Sequence, residues 1–406
     1  MKRLGSLPCP VAARGRQLEN RGGSARRGYD RAVAVPHHVL LVPGFFGFAT
    51  LGDFAYFAHV QELLAEALPQ AGVRGAVEVV RTTPTATLQR RAALLAQAVS
   101  RLLEAGPAEV SVVGHSSGGL DARLLVSPGV TLPTEVDVER CARAVRAVVT
   151  VSTPHRGTPL ADAFDTLLGQ QLLKVLSLAT IYSLRAGRLP IGVILRLARL
   201  IGGRDAPQTV LEQLWEQLLR DFSPDRRQAL EGYLGEVGAD RGLVAQITPA
   251  GAVALDSATP DRPAVRYGCV VTRARPPGLR SFLGAGVDPY ALATHGLFVA
   301  LYRLAARSQP DLLMPPAPVA ALTRAFRRPV DHHTNDGMVP TLSQFRGELI
   351  RAAWADHHDV IGHFHHPTHV PPHFDWVASG SRFSRARFES LWREVAAFVA
   401  AAGRGR

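Results

Sequence analysis

The chain has 406 residues, 47% of them hydrophobic and 20% charged, with 37 Gly and 29 Pro, a balance that excludes a mainly disordered, fibrous or membrane-spanning protein. Its three cysteines, Cys9, Cys141 and Cys269, form neither a disulfide framework nor a metal-binding spacing. The net charge is +12, but residues 1–31 alone hold eight basic and two acidic residues, so half of the excess belongs to an Arg/Gly-rich segment.

Residues 1–35 are expected to be a solvated, disordered basic extension. The body that follows has no basic stripe interleaved with aromatics, so nucleic acid is not an expected partner. The first residues lack the continuous apolar run of an export signal, which leaves the cytoplasm as the default location.

Ordered structure is expected from Pro36. The run His38–Val42 reads as a buried strand closed by Pro43-Gly44. Phe57–Leu68 follows as a helix ended by Pro69 and Gly72, and Val77–Val80 as a second strand. Leu88–Leu103 is a long amphipathic helix and Val110–Val113 a third strand. That strand leads at once into Gly114 and a helix over Ser117–Val126, and Val145–Val151 is a fourth strand. Apolar strands alternating with helices predict a mostly parallel sheet covered on both faces.

From 160 to 261 the pattern becomes helical. Its most apolar part, Leu167–Ile201, carries Lys174, Arg185, Arg188, Arg196 and Arg199, which excludes a transmembrane helix. Strand character returns at Val265–Thr272 and weakly at Leu349–Trp354. The Pro-rich stretch Met314–Pro318 is expected to be a surface loop, and Phe383–Ala401 an amphipathic helix.

Gly114-His115-Ser116-Ser117-Gly118 is G-x-S-x-G at a strand-to-helix turn. That turn holds the middle serine in a strained backbone, with its hydroxyl above the sheet. Such a nucleophile needs a base and oxyanion donors. The backbone N–H groups of Phe45, after Gly44, and of Ser117 are the candidate donors. In this chain order the acid precedes the base. Asp336, in the turn Asn335-Asp336-Gly337, is the candidate acid, with Asp331 and Asp356 as rivals. His357 and His358 are rival bases.

Taken together, Gly44-Phe45-Phe46-Gly47-Phe48, Gly114–Gly118, Ser152–Pro159, Asn335-Asp336-Gly337 and Asp356-His357-His358-Asp359 resemble the motifs of the bacterial true lipases of the α/β-hydrolase superfamily, of the Pseudomonas/Burkholderia and Bacillus/Staphylococcus types. The resemblance implies an α/β-hydrolase fold over residues 36–406, with residues 160–261 as a helical lid or cap insertion. It implies a Ser116–Asp336–His357 triad, since the first His of that loop is the catalytic one in those enzymes. It implies no organic cofactor, and a structural calcium held by Asp288 and Asp359. Two departures stand out: Pro43 replaces a histidine common before the first glycine, and a segment around Ala305–Arg328 is additional.

The implied activity is hydrolysis of carboxylic esters, lipase-like on acylglycerols or other medium- to long-chain acyl esters, with the lid meeting a lipid–water interface. The alternatives are a short-chain carboxylesterase, or a non-catalytic hydrolase-fold protein that binds membranes or anions. Seven of the fifteen histidines lie between His357 and His373. Their spacing is not a recognised zinc pattern, and Pro367, Pro371 and Pro372 break the segment into turns, so it reads as a polar loop.

Overall fold

The computed structural model describes residues 35–45, 56–165, 172, 175–179, 182, 188–202, 208–240, 242–286, 288–307, 314–370 and 372–403. The expected extension over 1–35 lies, Val35 apart, outside the described residues, as do much of the stretch 166–187 and Phe46–Phe48 of the glycine-flanked loop.

Six strands form one parallel sheet: β1 (His37–Val42), β2 (Val77–Val79), β3 (Glu109–His115), β4 (Val145–Val151), β5 (Arg266–Arg273) and β6 (Glu348–Trp354), in the order β2-β1-β3-β4-β5-β6. Alternation along β1 sends Val39 and Leu41 into one core and Leu40 and Val42 into the other, as a strand buried on both faces requires. The Ala58–Gln70 and Arg385–Gly403 helices cover the first face. The Leu88–Ala105, Gly118–Val126 and Val138–Ala144 helices cover the second. The chain runs outward from β1 to β2 and returns to β3 on the other side, so the strand order reverses between β1 and β3. A crevice at the carboxyl ends of parallel strands opens at such a point, and Gly44 and Ser116 follow the two strands that flank it.

The stretch Pro159–Ala258 is helical, without a strand among the described residues. It has an apolar core of its own, in which Val193, Ile194, Leu197 and Leu214 pack with Leu297 and Leu301 of the Pro289–Ala305 helix. At the opposite end of the chain, Trp392 is fully buried and its indole N–H donates to the Val360 carbonyl (2.8 Å). That bond pins the C-terminal helix to the loop after β6.

Three local features refine these expectations. The helix expected to end at Pro69 and Gly72 runs to Gln70, with Pro69 in its last turn and Gly72, at φ = 87°, just beyond it. Met314–Pro318 is not wholly a loop, because a helix over Pro316–Phe326 starts inside it. Proline fits a first helical turn, where its missing N–H would lack a partner anyway. The helices Val138–Ala144, Leu279–Ala285 and Pro289–Ala305 were not expected, the last being an apolar helix whose burial is nearly all-round.

Candidate active site

β3 delivers its last residue, His115, directly into Ser116, which adopts φ = 54°. A non-glycine residue there is strained by about 1–3 kcal/mol, and the surroundings hold it: the Ser116 N–H donates to the Val151 carbonyl (2.8 Å). The flanking glycines have a steric reason. A Cβ on Gly114 would lie 2.3 Å from the Gly118 carbonyl carbon, and one on Gly118 would lie 2.2 Å from the Val42 oxygen. Ser117 caps the Gly118–Val126 helix, whose first N–H groups have no intrahelical partner. Across the crevice, a Cβ on Gly44 would meet the Ser116 Cβ at 2.6 Å, so the backbone after β1 lies against the serine.

Asp336 is fully buried and accepts hydrogen bonds on both oxygens. Oδ1 takes the N–H groups of Met338 (2.9 Å) and Val339 (2.7 Å). Oδ2 takes the Thr272 hydroxyl (2.8 Å), the Gln344 amide (3.1 Å) and His357 Nδ1 (2.9 Å). The rivals are occupied elsewhere. Asp331 holds the turn at His333 and Thr334, and Asp356 accepts from the N–H groups of His358 and Asp359 and from the Ser379 hydroxyl. Of the two histidines, His357 therefore has the carboxylate. Burial, with His357 beside it, holds His358 well below the usual imidazole range.

Ser116 and His357 line one small apolar cavity of about 50 Å³, together with Phe45, Tyr56, Leu160 and Phe164. Asp336, His357, Ser116, Phe45 and Ser117 are thus gathered at the carboxyl end of the sheet. Three supporting groups had no signal in the sequence. His115 Nε2 donates to the His357 carbonyl (2.9 Å), which leaves its Nδ1 to accept from the Tyr56 hydroxyl (2.6 Å). Tyr56 is in turn hydrogen-bonded to the Gly44 backbone, and its burial raises the phenol pKa. Burial and the neighbouring histidines keep His115 neutral, as that relay needs. Arg91 braces the loop by donating to the Pro43 carbonyl (2.8 Å).

Asp288 and Asp359 line a separate cavity of about 320 Å³, joined there by Asp375, which the sequence reading did not single out; Arg188 and Arg382 also border it. Asp288 Oδ1 caps the Pro289–Ala305 helix. Asp359 is buried, and burial with the adjacent Asp356 and Asp375 raises its pKa well above the carboxylate range. Crowded carboxyls of this kind suit a hard cation, although among the described residues they do not form a trio of ligand atoms within 4.8 Å of one another.

Residues 78–183 match the PGAP1-like alpha/beta domain. The chain is 28% identical over 177 residues to a triacylglycerol lipase of Vibrio cholerae, covering 43% of this chain and 48% of that protein. It is 29% identical over 133 residues to a triacylglycerol lipase of Pseudomonas fragi, covering 33% and 40%. Both curated relatives are bacterial triacylglycerol lipases, and they are what this chain is similar to. The match spans about half the length of these curated relatives or less. Lipase 1 from Pelosinus fermentans has the same fold, with a TM-score of 0.50 at 14% identity, over 89% of this chain and 98% of that one. In open parallel sheets the crevice at the reversal of strand order is the usual ligand site, and here it lies between β1 and β3.

Proposed function

We propose that this protein is a serine hydrolase of carboxylic esters, lipase-like in acting on substantial acyl chains. One observation carries the reading: His357, hydrogen-bonded through Nδ1 to the buried carboxylate of Asp336, shares an apolar cavity with the strained Ser116. In this reading Ser116 Oγ attacks the ester carbonyl, and His357 Nε2 takes its proton and returns it to the leaving alcohol. The N–H groups of Phe45 and Ser117 receive the oxyanion, a contribution of about 3–4 kcal/mol per donor. A water activated by His357 then releases the acid from Ser116. No organic cofactor enters the scheme.

The cavity supports a lid as well. About 50 Å³ is far below the roughly 300 Å³ at which ligand pockets begin, and Leu160, Ala161, Phe164, Val244 and Ile247 of the insertion close it. Movement of the insertion would admit an acyl chain. The Ile191–Ile201 helix buries Val193, Ile194, Leu197 and Ile201, and leaves Ile191, Leu195, Arg196 and Arg199 outward. That outer face pairs apolar with cationic groups, as contact with an anionic lipid surface demands. No described helix is long and apolar enough to cross a membrane.

A p-nitrophenyl ester series tests this. Activity is expected to persist at long acyl chains and to rise once substrate exceeds its solubility limit. Activity confined to the shortest, fully dissolved esters would make the protein a carboxylesterase instead.

Asp359 with Asp375 and Asp288 would hold a structural Ca²⁺ that steadies the loop bearing His357. Millimolar Ca²⁺ added after chelation is expected to raise Tm by several degrees through binding to the folded state alone, and Asp359→Asn to remove the effect. An unchanged Tm in the parent protein would rule out this ion.

A further inference from the structure

The loop after His357 contains a second polar assembly that takes no part in the scheme above. His59, in the first turn of the Ala58–Gln70 helix, meets His369 and His373 of that loop. One ligand nitrogen from each lies within 4.8 Å of the other two. The rings of His59 and His373 are stacked, with centroids 3.6 Å apart, and His369 stands 5.0 Å from His373. Gly362, at φ = 108°, allows the approach: a Cβ there would sit 2.9 Å from His59 Cδ2.

The hydrogen-bond pattern is the informative part. His59 Nδ1 and His373 Nε2 are buried without a partner, a cost of about 1–3 kcal/mol each if nothing binds them. His373 Nδ1 donates to the Gly362 carbonyl (2.7 Å), and His59 is hydrogen-bonded to the Pro372 backbone. One ring nitrogen anchored to backbone and the other left without a partner is how metal-ligating histidines are held. Burial and the neighbouring imidazoles push His59 down to about 4 and His373 down to about 3, so both keep a free lone pair at neutral pH. Glu62, one turn along the helix, brings Oε1 to 4.0 Å from His369 Nε2 but lies outside the trio, which leaves the fourth position to a water oxygen.

We propose that His59, His369 and His373 bind one divalent transition metal of the Zn²⁺ class, clasping the helix after β1 to the loop that bears His357. Three imidazoles and one oxygen suit tetrahedral Zn²⁺, whereas Ca²⁺ prefers oxygen donors throughout. None of the three lines the Ser116 cavity, so the ion is structural. It would tie together the two segments that carry Tyr56 and His357.

The test uses untagged full-length protein stripped with a chelator and titrated with Zn²⁺ or Co²⁺. One equivalent of Zn²⁺ is expected to bind and raise Tm, and Co²⁺ to give the intense visible bands of a tetrahedral site. His59→Ala and His373→Ala should each weaken Zn²⁺ binding by more than about 100-fold, beyond the roughly 10–100-fold cost of losing an outer partner. His369→Ala, at a partly exposed loop position, gives the decisive comparison should either buried variant fail to fold. Asp359→Asn should bind Zn²⁺ as the parent does. Absence of tight Zn²⁺ binding, an octahedral Co²⁺ spectrum, or parental affinity in His369→Ala would overturn the proposal.

Discussion

Asp336→Asn is expected to lower kcat/KM for a p-nitrophenyl acyl ester by about 10⁴-fold, as loss of the orienting carboxylate does in this kind of triad. The reason lies in proton placement. Asp336 Oδ2 now accepts from His357 Nδ1–H, leaving Nε2 to take the serine proton. The isosteric amide keeps an oxygen for the N–H groups of Met338 and Val339 and turns its NH₂ toward His357. The imidazole would then carry its proton on Nε2, where it cannot act as a base. Thermal melts should show a folded variant, so that the kinetic loss is read as chemistry. Activity within tenfold of the parent would mean that another carboxylate serves His357.

The second large effect concerns stability. Arg91 and Asp121 form an ion pair with no exposure of either side chain. Arg91 also donates to the carbonyls of Thr83, Pro84 and Pro43. Burial already pushes Asp121 up to about 6 despite the guanidinium beside it. Arg91→Met should therefore cost about 3–5 kcal/mol by stranding a buried carboxyl, measured by denaturant unfolding. Pairing it with Asp121→Leu should recover most of that loss, since an apolar pair can replace a buried ion pair. The double variant should still turn over slowly, because the Pro43 carbonyl, and with it the Phe45 N–H, is no longer held. Parental kcat in the double variant would remove Arg91 from the positioning of the oxyanion loop.

What the sequence made legible follows contact range. Val-rich runs placed β1, β3, β4 and β5, because strands buried on both faces have unbroken apolar sequences, whereas β6, which has no valine and is mostly only partly buried, was weakly legible. The serine turn was readable because one of its glycines answers a clash within the motif itself, Gly114 against Gly118 four residues on. Chain order left Asp331, Asp356 and His358 as rivals; family resemblance chose Asp336 and His357, and the 2.9 Å bond joins those two. Gln344, Thr272, His115, Tyr56 and Arg91 left no local trace. Each acts on a partner fixed by the fold, as Arg91 does on Pro43, 48 positions away. Histidines 369 and 373 read as a polar loop because their third partner, His59, lies some three hundred residues earlier.

The most direct test of the triad is reaction with a fluorophosphonate, followed by peptide mass spectrometry. A single adduct on Ser116 is expected, formed rapidly by the parent protein and at a rate reduced by orders of magnitude in His357→Ala. Modification of some other serine, or equal labelling in the His357 variant, would contradict the account.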